Sequence, residues 1–180
     1  MNMKLSLALA GIALTGCTTA NAQGPEVGAA LEFNHFMVAI SVQDIEAETR
    51  WFVDNLGFTV EKDASVRDGA VRFRWLKNGN QRIELLGIAG SQPGPTRGTP
   101  PGHAGIRGIT QVTLETRDIV ATRAALAAKG ITPALDITDV TPLGIKAMYL
   151  LDPEGNAIEI ALVTAISGVC SAGVTDHTTK

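Results

Sequence analysis

Cysteine is nearly absent. The 180 residues hold two, Cys17 and Cys170, and Cys17 ends the apolar run at the N-terminus. Processing that consumes or removes Cys17 leaves Cys170 as the one free thiol, so an intramolecular disulfide is excluded. A basic run is also missing: 15 Lys and Arg are interspersed among 18 Asp and Glu, for a net charge of −3. Without a basic stripe to neutralise phosphates, nucleic acid is excluded as a partner. The N-terminal apolar run, about a dozen residues, falls short of the ~20 that a membrane-spanning helix requires. The whole chain is 45% hydrophobic and 18% charged, which is the composition of a globular protein. The length suits one ordinary domain or two half-domains around a real core.

"MNMKLSLALAGIALTGC" places Lys4 before that apolar run and reads as a secretory leader. Two processing sites compete. "LTGC", Leu14 to Cys17, resembles the lipobox of bacterial lipoproteins, which implies lipidation of Cys17 and, with Thr18 following, the outer membrane facing the periplasm. "ANA", Ala20 to Ala22, fits the small-x-small site of a secreted or periplasmic protein instead. The lipobox is preferred because it abuts the apolar run. A membrane is therefore expected as a partner only through an N-terminal lipid anchor. Removing residues 1–16 takes away Lys4 alone among charged groups. Residues 17–30, small, polar and Gly-containing, read as a flexible tether.

The rest of the chain repeats itself. "HFMVAISV" alternates like a half-buried strand, and "DIEAETRWFVDNL" spaces Ile45, Trp51, Phe52 and Leu56 as a helix does, with Asp44 as N-cap and Gly57 as stop. "FTVEKDA", "AVRFRWL" and "QRIELLGIA" follow as strands. In the second half "ITQVTLET" is a strand and "DIVATRAALAAK" a helix capped by Asp118 and stopped at Gly130. The strands "ITPALDI", "GIKAMYLL" and "NAIEIALV" complete it, the last two joined by the turn "DPEGN". Asp44 and Asp118 are 74 residues apart, and Glu84 and Glu159 are 75 apart. The agreement predicts an α+β protein made of two βαβββ half-domains with mostly antiparallel strands, whose far faces form a concave cavity. The boundaries are 31–90 for the first module, 91–106 for a Pro/Gly-rich linker, 107–163 for the second module and 164–180 for a C-terminal tail.

Strand alternation sends Val38, Ile40, Val42, Ile83, Leu85, Val112, Leu114, Ile158 and Ile160 toward the helices. It leaves Met37, Glu84, Gln111 and Glu159 at four quasi-symmetric places on the far face, with His35 one pleat from Met37. A buried-face glutamate calls for a reason, since an unpaired buried carboxylate is costly.

The duplicated units, "LGF" after the first helix, "IEL" and "DPEGNAIEI" resemble the vicinal oxygen chelate superfamily over about residues 33–163. That superfamily includes glyoxalase I, extradiol dioxygenases and bleomycin-binding proteins. The resemblance implies a divalent metal (Zn, Ni, Mn or Fe) held by Glu84, Gln111, Glu159 and a fourth residue. The fourth place falls on Met37, whose thioether suits hard divalent ions poorly. Three readings of His35 stay open: a strand irregularity carries it into the ligand place, it lines the cavity as base or donor, or it only caps a strand.

Without a metal, Glu84 and Glu159 share a proton or pair with arginines. Arg72 and Arg74 alternate with Val71, Phe73 and Trp75. If the arginines face the cavity they suit a carboxylate substrate, and parity alone does not decide. His103 and Arg107 are expected on a surface loop, and Tyr149 and Trp51 in the core. Cys170 and His177 have no partner spacing for a metal or a nucleophilic dyad.

The first expectation is thus an envelope-located isomerase or lyase acting on a small oxygenated molecule. His35, Glu84 and Glu159 would be catalytic, and Met37, Arg72, Arg74 and Gln111 substrate-binding. The alternative is a metal-free protein that binds and sequesters a small molecule. The repeat is also compatible with a homodimer.

Overall fold

Asp44 and Asp118 each open a helix, and the two helices organise everything else. Asp44 Oδ1 accepts from the amides of Glu46 and Ala47, both at 3.0 Å, and Asp118 Oδ1 accepts from Ala121 at 2.9 Å. Each cap satisfies amides that the first turn leaves free. The computed structural model describes residues 36–163. The first module comprises β1 (Val38–Val42), α1 (Ile45–Leu56), β2 (Thr59–Val66), β3 (Val71–Asn78) and β4 (Gln81–Ile88). The second comprises β5 (Gln111–Glu115), α2 (Ile119–Ala128), β6 (Leu135–Val140), β7 (Ile145–Leu151) and β8 (Ala157–Val163). Gly57 ends α1 at φ 69, the left-handed conformation that glycine adopts without strain.

The sheets are built alike, in the orders β1-β4-β3-β2 and β5-β8-β7-β6. In each, the strand before the helix pairs in parallel with the last strand, and the other pairs are antiparallel. Val38 pairs with Ile83, and Val112 with Ile158, so the repeat read from the sequence holds in the register itself. The α+β fold of two βαβββ halves is the one expected. The strand at "ITPALDI" starts later, at Leu135, because Pro133 has no amide to give a ladder.

One core fills the helix-facing side of both modules. Ile40, Val42, Leu76, Ile83 and Leu85 meet Ile45 and Phe52 of α1, while Met148, Leu150, Ile158 and Ile160 belong to the same cluster with Ile119 and Leu126 of α2. Phe52 stands edge-to-face with Phe58 at 5.5 Å. Trp51 is only partly buried and packs against this core.

The second module also holds both ends of α1. At its start, Glu154 Oε1 accepts from the amides of Gln43 and Asp44. At its end, Lys129 Nζ donates to Asp54 O at 2.6 Å and Asn55 O at 3.3 Å, where α1 has no basic residue of its own. Between them Glu48 is fully buried and its carboxyl is pushed up to about 9, first by burial and then by the nearby Asp152 charge. Asp152 is spoken for by the turn it closes, accepting from Glu154 N, Asn156 N and Asn156 Nδ2 at 2.7–3.0 Å.

Among the described residues no helix is long and apolar enough to cross a membrane. The expected leader, Cys17, the tether, His35, Cys170 and His177 lie outside the described residues.

Candidate functional site

Antiparallel pairing sets an aromatic donor beside each glutamate. Trp75 is the register partner of Glu84, and Tyr149 that of Glu159. Directly opposed residues share a face of the sheet, so each pair meets on the side away from the helices. Trp75 Nε1 donates to Glu84 Oε1 at 2.8 Å, and the Tyr149 hydroxyl donates to Glu159 Oε1 at 2.7 Å. Lys62, beside a β2 irregularity, carries its ammonium 4.3 Å above the Trp75 ring.

The second module builds further on this pair. Gln111 Nε2 and Thr113 Oγ1, two residues apart on one face of β5, donate to Glu159 Oε2 at 2.8 and 2.6 Å. Glu159 is 6% exposed, and three donors compensate its loss of water. Gln111 Oε1 lies 2.7 Å from His103 Nε2. His103 comes from the short 3₁₀ turn Gly102–Gly105 of the linker, which Arg97 pins by donating to His103 O at 3.2 Å and Ile106 O at 2.6 Å. The imidazole stands edge-to-face against Tyr149 at 5.4 Å. Burial, and then the neighbouring Glu159, push the Tyr149 phenol up to about 12, so it stays a neutral donor.

Of the residues named from the sequence, the structure brings Gln111 and Glu159 together. Glu84 sits in the other sheet, where the one hydrogen bond to its carboxylate among the described residues comes from Trp75. Met37 is half-buried just ahead of β1, and Ala39, two residues on, pairs with Glu84. Arg72 and Arg74 do not reach the open face. They point to the helix side, where Arg72 bonds Glu46 at 2.8 Å and Arg74, 6% exposed, bonds Glu46 at 2.8 Å and also Asp63. Parity decides this once Trp75 is opposed to Glu84, and the expectation that the two arginines share the open face with the glutamates is corrected accordingly. Arg82 is likewise taken, by Glu61 at 2.8 and 2.9 Å.

Two further expectations are overturned. Tyr149 is on the open face rather than in the core, and the hairpin turn "DPEGN" held the signal, since pairing Leu151 with Ala157 forces Tyr149 opposite Glu159. His103 is buried, not a surface residue, while Arg107 is exposed. No periodicity runs through the linker to announce that burial.

The described donor set does not fit a divalent cation. Met37 offers a thioether, Gln111 turns its amide nitrogen to Glu159 and its oxygen to His103, and Glu159 faces three hydrogen donors. No group of three or more His, Cys, Asp and Glu among the described residues converges on one point. Two grooves are also present, of about 460 Å³ and 710 Å³. The first runs along Phe58, Asn78, Leu114 and Leu126, the second along Asp44, Glu46, Arg72 and Gly87. Neither is lined by Glu84, Gln111 or Glu159.

No curated protein matches the chain. Among solved structures it is similar to the protein SMU.1112c at 25% identity, covering 73% of this chain and 99% of that one with a TM-score of 0.59. A glyoxalase family protein from Enterococcus faecalis aligns at 23% identity over 72% and 96% of the two chains, TM-score 0.54. The trypanothione-dependent glyoxalase I of Leishmania major aligns at 17% over 72% and 86%, TM-score 0.53. The last two likenesses are of fold. Residues 32–160, most of the sequence, match one family as a whole. With its paired βαβββ modules, the chain belongs to the Glyoxalase/Bleomycin resistance protein/Dioxygenase superfamily.

Proposed function

We propose that this protein binds a small oxygen-bearing molecule at the polar face of its second module, through a site that works without a metal ion. One observation carries the reading: a single buried carboxylate, Glu159, gathers Gln111, Thr113 and Tyr149, and Gln111 extends the set to His103. With their protons on Glu159, the two hydroxyls turn their oxygen lone pairs outward and the Gln111 amide keeps one N–H, all fixed before any ligand arrives, so a ligand hydroxyl that both donates and accepts is bound at little ordering cost. Elemental analysis of the protein after loading with Zn²⁺, Ni²⁺, Mn²⁺ and Fe²⁺ tests the metal-free part. No stoichiometric metal is expected, and stoichiometric metal that Glu159→Gln loses overturns it.

The isomerase or lyase reading keeps one supporting observation. The Glu159 carboxylate lies 2.7 Å from the neutral Tyr149 hydroxyl, a proton acceptor beside a proton donor. Incubation with small 2-oxo acids, 2-hydroxy acids and hydroxyketones in D₂O separates the readings. Exchange of the α-proton that Glu159→Gln abolishes makes the protein an enzyme, and saturable binding without exchange makes it a binding protein.

We also propose an envelope location, supported by Lys4, the apolar run after it and "LTGC" at Leu14–Cys17. Cys17→Ser is expected to release the protein from the membrane fraction, and unchanged mass and fractionation would sink the lipid anchor.

A further inference from the structure

His103 has one ring nitrogen engaged and one bare. Gln111 Oε1 can only accept, because the other end of that amide donates to Glu159. In the neutral ring, His103 Nε2 therefore carries the proton and Nδ1 the lone pair. Nδ1 is buried and has no hydrogen-bond partner among the described residues, on a residue only 3% exposed. Nearly all buried polar atoms are paired, so a bare one needs an explanation. The residue is held by three contacts: Gln111 at Nε2, the Tyr149 ring against the imidazole, and Arg97 on the turn's own carbonyls.

We propose that His103 Nδ1 recognises the ligand by accepting a hydrogen bond from one of its hydroxyl or N–H groups. Glu159 acts in this at one remove, as a positioning residue: it orients the Gln111 amide, and the amide sets the tautomer of His103. The inference rests on the small-molecule reading of this face and narrows it to molecules that carry a donor. Ketones and ethers, which only accept, leave Nδ1 unpaired and are discriminated against.

Two measurements on the full chain test this. In alkaline solution, where imidazole is neutral, ¹⁵N spectra of histidine-labelled protein are expected to show His103 as a single Nε2–H tautomer. His103→Gln identifies its signals among the three histidines. In Gln111→Leu the Nδ1–H form is expected to appear beside it. An Nδ1–H tautomer in the wild type, or no change in Gln111→Leu, overturns the positioning role.

The second measurement titrates phenol and benzyl alcohol, each against its methyl ether. The alcohols are expected to shift Gln111, Tyr149 and His103 Nδ1 and to bind about tenfold more tightly than the ethers, a gap of one ordinary hydrogen bond. His103→Phe is expected to erase that gap while binding persists. Should that variant fail to fold, the wild-type comparison of alcohol with ether decides alone. Equal affinities with an unmoved Nδ1, but shifts at Gln111 and Tyr149, overturn the role of His103 and leave the small-molecule reading standing. No shift at Gln111 or Tyr149 with any of the four overturns that reading, and this inference with it.

Discussion

The two modules share a register but put their polar groups on opposite faces. Counting 74 residues along, Met37, Ala39 and Trp75 of the first become Gln111, Thr113 and Tyr149 of the second. On the helix side the bias reverses: Glu48 and Arg74 of the first correspond to Thr122 and buried Met148 of the second. The first module thus uses its charge for assembly, bonding Glu46 and Asp63 and burying Glu48 beside Asp152. The second uses its polar groups around one carboxylate on the open face. Backbone pairing fixes which positions are equivalent, and side chains are then free to diverge wherever the core does not need them. A chelate shared evenly by both halves needs matching donors at equivalent places, and these halves do not match.

The largest departure is expected from the buried acid in α1. Glu48 ordinarily titrates near 4.5 but holds its proton up to about 9 in the folded chain. Between those values the folded state binds more protons than the unfolded one, so this group's stabilisation is full below about 4.5 and is lost as pH rises toward 9. Glu48→Gln is expected to remove a slope of about 1.4 kcal/mol per pH unit across that window, read as the difference between urea denaturation series.

Next come the two glutamates, compared directly. Glu159→Leu strands the donors of Gln111, Thr113 and Tyr149 and is expected to cost about 3 kcal/mol. Glu84→Leu strands only the Trp75 indole and is expected to cost under about 1 kcal/mol. Equal costs in urea denaturation would contradict the asymmetry drawn between the modules.

Lys129→Ala takes away the cation on the last carbonyls of α1 and is expected to cost about 1 kcal/mol, with faster hydrogen exchange confined to the end of that helix. The smallest effect is expected when the second module's residue is moved into the first. Arg74→Met leaves Glu46 and Asp63 half-exposed and still solvated, so stability at neutral pH should change by less than about 1 kcal/mol. Arg74 and Arg72 hold the Glu46 carboxyl down at about 2. Its contribution is therefore present above about 4.5 and lost as pH falls toward 2, and acid denaturation of Arg74→Met is expected to show less of that loss.

Much of this was readable from residue order. Alternation and the paired caps give both sheets and both helices, and they place Glu84, Gln111 and Glu159 away from the helices. Tyr149 and the side taken by the arginines follow once the hairpin turns are used to count register, a step beyond periodicity. Glu48 was also within reach: it stands at helical spacing between Ile45 and Phe52, where an acid must be buried. His103 was not. Its burial depends on a linker turn held by Arg97 and on side-chain contacts to Gln111 and Tyr149, and neither leaves a pattern in the sequence.

The grip on both ends of α1 bears on how such a repeat can arise and be cut. Glu154 and Lys129 complete a helix that belongs to the other half, so the first half is expected to depend on the second. A gene divided within the linker should yield a first fragment that stays unstable until the second is supplied in trans. An ancestral single half would have had to borrow the same grip from a second copy of itself. In this chain both halves lie on one polypeptide, so the grip on α1 is supplied from within the chain.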